Sequence, residues 1–206
     1  MEYLIIALFG ALVLVMGGTD TVSAFDLELR ATADAYLSNA KVIRFNPAAL
    51  RAGVKTDAEG QVLFRMYIAF DVPEGLEIKT ALLTLDCLDT RPMGTADATG
   101  SYTIRQIQED WDESYFQAQP YNAYDARPAA GEAEVEVVIE APVVRGGGGP
   151  PRSFDVTALM KGAGSKHGFE IVPSEALIKE SRTSIFAFTS RKHPSGRGPL
   201  LQLTLR

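Results

Sequence analysis

Strict alternation of apolar and polar residues is the feature that most narrows the folds open to this chain. In QVLFRMYIAFD, Val62, Phe64, Met66, Ile68 and Phe70 fall on one side, with Arg65 and Tyr67 on the other. In EAEVEVVIE, Ala133, Val135, Val137 and Ile139 alternate with Glu132, Glu134, Glu136 and Glu140. In PLLQLTLR, Leu201, Leu203 and Leu205 oppose Gln202 and Thr204. A strand turns successive side chains to opposite faces, so each segment reads as a strand with one buried and one wet face. Further strands are expected in LELRA, AYLS, VIRF, SYTIRQI, GFEIV and SIFAFTS.

Turn-forming stretches separate these segments: VPEG, RPMGTADATG, AAGE, RGGGGPPR, GAGSKHG and HPSGRGP. One short helix is expected in FDVTALMKGAG, capped by Asp155 and ended by Gly162. Many short strands with Gly and Pro between them predict one all-β, jelly-roll-like β-sandwich carrying a single short helix. Gly146 to Pro151 is a loop within it, because strands continue on both sides.

The first residues set a different constraint. Tyr3 to Met16 are all apolar or Gly. That run is short for a membrane span, which takes about 20 residues, and fits the apolar core of a secretory signal, roughly 7–15 residues. Val22 and Ala24 supply the small residues a signal peptidase reads. The expected layout is a signal peptide over 1–24 and a sandwich domain over 25–206. The product would be secreted (extracellular, periplasmic or at the cell surface) with no stable membrane insertion after cleavage. Glu2, with no Lys or Arg beside it, keeps an uncleaved anchor as the alternative. The formal net charge is −6. Loss of Glu2 and Asp20 would leave 24 acidic against 20 basic residues, a net −4. Such a balance argues against non-specific nucleic-acid binding, which needs a basic footprint. Cys87 is the only cysteine, in phase with Ala81, Leu83 and Leu85, and reads as a buried core thiol.

Seven phrases occur in a telling order: ADAYLS (33–38), RMYIAFDVP (65–73), ALLTLDC (81–87), IRQIQEDWDESYFQAQP (104–120), SFDVTALMKG (153–162), HGFEIV (167–172) and FTSRKHPSGRGPLLQLTL (188–205). Together they resemble the DNRLRE-type domain, a β-sandwich of secreted bacterial and archaeal proteins. Some members are carbohydrate-binding modules attached to polysaccharide-degrading enzymes. The resemblance spans about residues 26–206. It rests on Asp34-Ala35-Tyr36, Arg65, Phe70-Asp71, Trp111, Glu113, Pro120, Phe154 to Thr157 and Ser190-Arg191. Phe116 stands where the family has a second Trp. NAKVIRFNPAALRAG replaces the family's Asn-Tyr-Gly, and Lys192 replaces a Glu. Both of these departures fall where ligand or ion contacts would lie.

The segment EDWDESYFQAQPY (109–121) holds the only Trp, beside Glu109, Asp110, Asp112 and Glu113. A glycosidase needs two carboxyls about 5–9 Å apart with separated pKa values. Neighbouring residues on an extended chain point apart, so a structural corner is expected instead: Trp111 and Phe116 under the sheet edge, Pro120 fixing the exit, Glu113 bonded to loop backbone. Tyr115, Tyr121 and Tyr124 are candidate sugar platforms. Arg65 and Tyr67 face away from the apolar stripe, and Arg191, Lys192 and Arg197 gather near the last turn. If the strands adjoin, these residues form a basic, aromatic patch suited to carboxylate recognition. No cofactor is implied. Calcium is a candidate through Asp34, with Asp89 and Asp155 as further oxygen donors. His167 and His193 lack ligand-spaced partners for zinc. The functional expectation is an exported, non-catalytic carbohydrate-binding protein whose partner is a polysaccharide, an acidic, uronate-bearing one fitting best. The alternatives are a structural or adhesive surface scaffold, and a small polysaccharide-active enzyme using a carboxyl such as Glu113.

Overall fold

The computed structural model describes residues 25–39, 48–88, 99–117, 128–140, 149–160 and 168–206, apart from the side chains at positions 115 and 117. It is a sandwich of two antiparallel sheets. The strands are β1 (Leu27–Arg30), β2 (Ala33–Ser38), β3 (Ala49–Asp57), β4 (Gly60–Ala69), β5 (Ile78–Leu85), β6 (Gly100–Ile107), β7 (Ala130–Ile139), β8 (Arg152–Asp155), β9 (Phe169–Pro173), β10 (Ser184–Thr189) and β11 (Leu200–Leu205). The smaller sheet runs β1-β11-β5-β8. The larger runs β10-β3-β4-β9-β6-β7, with β2 also paired to β4.

The alternation in the sequence explains the layering. Ala81, Leu83 and Leu85 of β5, with Leu201 and Leu203 of β11, meet Met66, Ile68, Ile104, Ile171, Phe186 and Phe188 of the large sheet in one buried core. The opposite face of the small sheet is polar. There Gln202 donates to Glu28 (2.8 Å), Thr84 to Gln202 (3.3 Å), and Thr84 and Ser153 share a hydrogen bond (2.8 Å). Cys87 is buried as expected and forms a bridge with Phe188.

The helical content differs in detail from the expectation. Asp155 does cap a turn, its Oδ1 accepting from the Thr157 N–H (2.9 Å), but the turn is a 3-10 helix over Thr157–Met160. Two single-turn α-helices, α1 (Glu113–Gln117) and α2 (Glu175–Lys179), were not expected. Neither is long enough to show a 3.6-residue period. The strand expected in VIRF and the stop at Gly162 lie outside the described residues. Among the described residues no helix is long and apolar enough to cross a membrane.

Strand β3 escaped the alternation rule, and Gly53 shows why. Its φ is +141°, and a Cβ there would lie 2.0 Å from the Ser184 carbonyl oxygen of β10. Leu50, Ala52 and Val54 turn a short stripe into the core, and the close backbone approach at Gly53 fixes the strand against β10. Gly75→Ala, with open space around the added methyl, is expected to cost about 1–2 kcal/mol for its positive φ. Gly53→Ala is expected to cost more than about 3 kcal/mol, because backbone itself must move. Urea unfolding of the two variants checks the order.

Candidate functional site

The outer face of the large sheet carries the sandwich's charged chemistry. Residues 108–117 fold back over this face. Gln108 N–H donates to the Ala129 carbonyl (2.8 Å), and Glu109 Oε1 accepts from the Ala129 N–H (2.8 Å). Asp112 Oδ1 accepts from the backbone (2.8 Å) and hydroxyl (2.6 Å) of Ser114, in the first turn of α1. Helix α1 then sets Phe116 on Tyr67, with ring centroids 4.9 Å apart. Trp111 closes the cluster at 5.9 Å from Tyr67 and 5.4 Å from Phe116. Ala35, Leu37 and Ile107 complete this second core. Trp111 and Phe116 therefore act as the expected structural corner. Pro120 lies outside the described residues.

Beneath the corner sits a buried carboxylate that the sequence did not advertise. Glu170 of β9 is 0 % exposed. Its Oε1 accepts from Arg65 Nη1 (3.1 Å) and from the Tyr67 hydroxyl (3.2 Å). Burial and the charge of Glu170 push the Tyr67 hydroxyl far above the usual phenol range, so it stays protonated and donating. This corrects the expectation of an outward basic, aromatic patch at Arg65 and Tyr67. Both lie on the predicted face, but Tyr67 is fully buried and the Arg65 side chain is only 11 % exposed. The folded-back corner covers that face, so Tyr67 offers no ring to a sugar. The one signal in the sequence was a lone charge in the apolar strand GFEIV, matched by Arg65 on another strand.

Glu113 ties the corner to the last turn. Arg191 Nε (2.9 Å) and Nη2 (2.7 Å) both donate to its Oε1, and Lys192 Nζ pairs with Oε2. These partners are side chains, not the loop backbone that was expected. Burial alone would raise the Glu113 carboxyl, but hydrogen bonds and charge from Lys192 and Arg191 outweigh it and hold the group below its usual range. The Arg191 N–H also donates to Asp34 Oδ2 at 2.5 Å. Burial pushes Asp34 up to about 6, against the pull of Arg191. Arg197 pairs with Asp86 at 3.6 Å.

The structure thus brings Arg191 and Lys192 together as expected, with Arg197 six residues on in the same turn and exposed. Arg65 is not available to join them, being bound to Glu170. Asp34, the calcium candidate, accepts from the Arg191 N–H, with the charges of Arg191, Glu113 and Lys192 around it. Among the described residues no group of three His, Cys, Asp or Glu side chains is placed to hold a metal. Asp155 is occupied as a cap, and Asp89 lies outside the described residues, as do Tyr121, Tyr124 and the side chain of Tyr115. Compared with protein-family models and with curated proteins, the chain matches none.

Two outcomes are expected here. Arg65→Met leaves Glu170 buried without its cation and should cost about 3–5 kcal/mol in urea unfolding. Asp34 has a folded-state pKa above its unfolded value, so its protonated form favours the fold. Stability from this group is full below pH 4 and is lost as pH rises to about 6, a swing of about 3 kcal/mol. Asp34→Asn keeps an oxygen acceptor for the Arg191 N–H but removes the titration. The wild-type stability curve should fall away from the variant's between pH 4 and 6; parallel curves would contradict this assignment.

Proposed function

We propose that this chain is an exported, non-catalytic carbohydrate-binding protein that takes acidic, uronate-bearing polysaccharide on the turn between β10 and β11. The observation that carries this reading is the exposure of Arg191, Lys192 and Arg197 on one turn, with Arg191 and Lys192 sharing the single carboxylate of Glu113. Arg191, Lys192 and Arg197 face Glu113 and Asp86, so the turn carries one net positive charge when Asp34 is protonated and is balanced when Asp34 is ionised. A guanidinium forks onto a carboxylate, and a lysine adds a mobile point charge beside it. The resemblance to DNRLRE-type domains, some of which are carbohydrate-binding modules, supports the same reading.

Features of the corner favour binding over hydrolysis. Glu113 is held ionised by its two cations and is a poor proton donor. Glu109 and Asp112 accept local hydrogen bonds that shape the corner. Asp34 titrates near 6, but it is buried against the Arg191 backbone. Lowering the pH through 6 protonates Asp34 and removes a negative charge next to the turn, so acidic-glycan binding should tighten on that limb.

Affinity electrophoresis in gels cast with neutral or uronate-rich polysaccharide, with and without calcium, tests the proposal. The protein should be retarded in the acidic gels alone, and less so as salt screens the charges. Lys192→Ala and Arg197→Ala should each weaken binding about three- to tenfold. Free migration in every gel, or equal retardation in neutral gels, would overturn it.

A further inference from the structure

Among the described residues, this sandwich leaves one long edge strand unpaired on its outer side. Edge strands β1 and β8 are only four residues each. The outer side of β10 is already bonded: Leu88 N–H donates to Ala187 (3.0 Å), Thr189 N–H donates to Asp86 (2.8 Å), and Cys87 bridges Phe188. Strand β2 also pairs only with β4, but it is six residues long and buried throughout. The longest edge strand is β7, ten residues, paired among the described residues only to β6. It contains no proline and no inward-pointing charge, two of the usual devices that block strand addition. In an antiparallel pair every second residue turns its N–H and C=O away from its neighbour, so β7 offers about five outward residues.

The side chains state what the edge admits. Val135 and Val137 lie on the core side, opposite Ile104 and Tyr102, and stay half-exposed. Glu132, Glu134 and Glu136 share the outer face with Val138, which at 64 % is the one exposed large hydrophobic residue among those described. Glu134 pairs with Arg105 of β6 at 3.2 Å. Glu132 and Glu136 are exposed, and neither has an ion pair among the described residues. Antiparallel pairing of two copies about a two-fold axis would set this glutamate row beside its own mate, and like charges opposite one another are destabilising. A strand with Lys or Arg at alternate positions and apolar residues between meets the glutamates on one face and extends the cover over Val135 and Val137 on the other.

We propose that β7 is a strand-addition site for an extended polypeptide segment that alternates basic and apolar residues. The backbone supplies hydrogen bonds and the glutamate row supplies register and selectivity. This surface is independent of the turn proposed to bind glycan.

The test uses the full chain and three synthetic ten-residue peptides: alternating Lys and Val, alternating Glu and Val, and Lys and Val in two blocks. Amide hydrogen exchange of β7 is followed with each. The alternating Lys peptide should slow exchange across β7, and the other two should bind at least about tenfold more weakly. Glu132→Lys/Glu136→Lys, two exposed positions that leave the core intact, should reverse the preference between the Lys and Glu peptides. Three results would overturn the proposal. One is equal protection by all peptides. The second is no protection by any, which would make the glutamates a purely repulsive guard. The third is β7 protection that rises with protein concentration alone, which would assign the edge to a second copy.

Discussion

The buried carboxylate of Glu170 governs the architecture of the outer sheet face. An ionised group removed from water is tolerable only with partners of good geometry. Arg65 and Tyr67 of β4 supply them across the β4–β9 pairing, where Tyr67 stands directly opposite Glu170. That arrangement in turn demands a cover. The Trp111–Phe116 corner provides it, and so a sheet that would be wet on one side acquires a second, smaller core.

Helix α1, which carries the cover, also presents Glu113 to Arg191 and Lys192, so the corner is anchored at both ends. One end is apolar, through Phe116 and Trp111 on Tyr67. The other is ionic, between α1 and the turn after β10. Arg191 holds a second group, Asp34 of β2, through its backbone N–H. Three distant parts of the chain meet there. The charge of the turn is set by how many carboxylates share its cations, and Asp34 makes that count depend on pH.

Much of the fold was legible because its physical cause is local. The alternation over Val62 to Phe70 gave β4 and its inward face, and Leu201, Leu203 and Leu205 gave β11. Strand β3 was hidden because Ala, Gly, Lys and Asp carry little strand preference, its apolar stripe is only Leu50, Ala52 and Val54, and Gly53 is set by backbone contact. Strand β8 is four residues with two charges. Helix α2 did leave a sign, the Ser174 cap on Leu177 N–H (3.2 Å), too short to stand out. The site was harder. Arg191 and Lys192 adjoin in sequence, so their pairing was readable, but Glu113 lies 78 residues from Arg191. The outward direction of Tyr67 was right, whereas its burial depends on a corner more than 40 residues downstream. Periodicity tells which face a residue takes, not what later chain will fold across it.

The central functional claim is that carboxylate recognition by the turn, not sugar stacking, confers glycan affinity. Titration calorimetry of one uronate oligosaccharide against its carboxyl-reduced counterpart isolates that interaction, because the two ligands share linkage and ring shape. The account predicts saturable heat with the acidic oligomer and none with the reduced one. Equal affinity for both would contradict it.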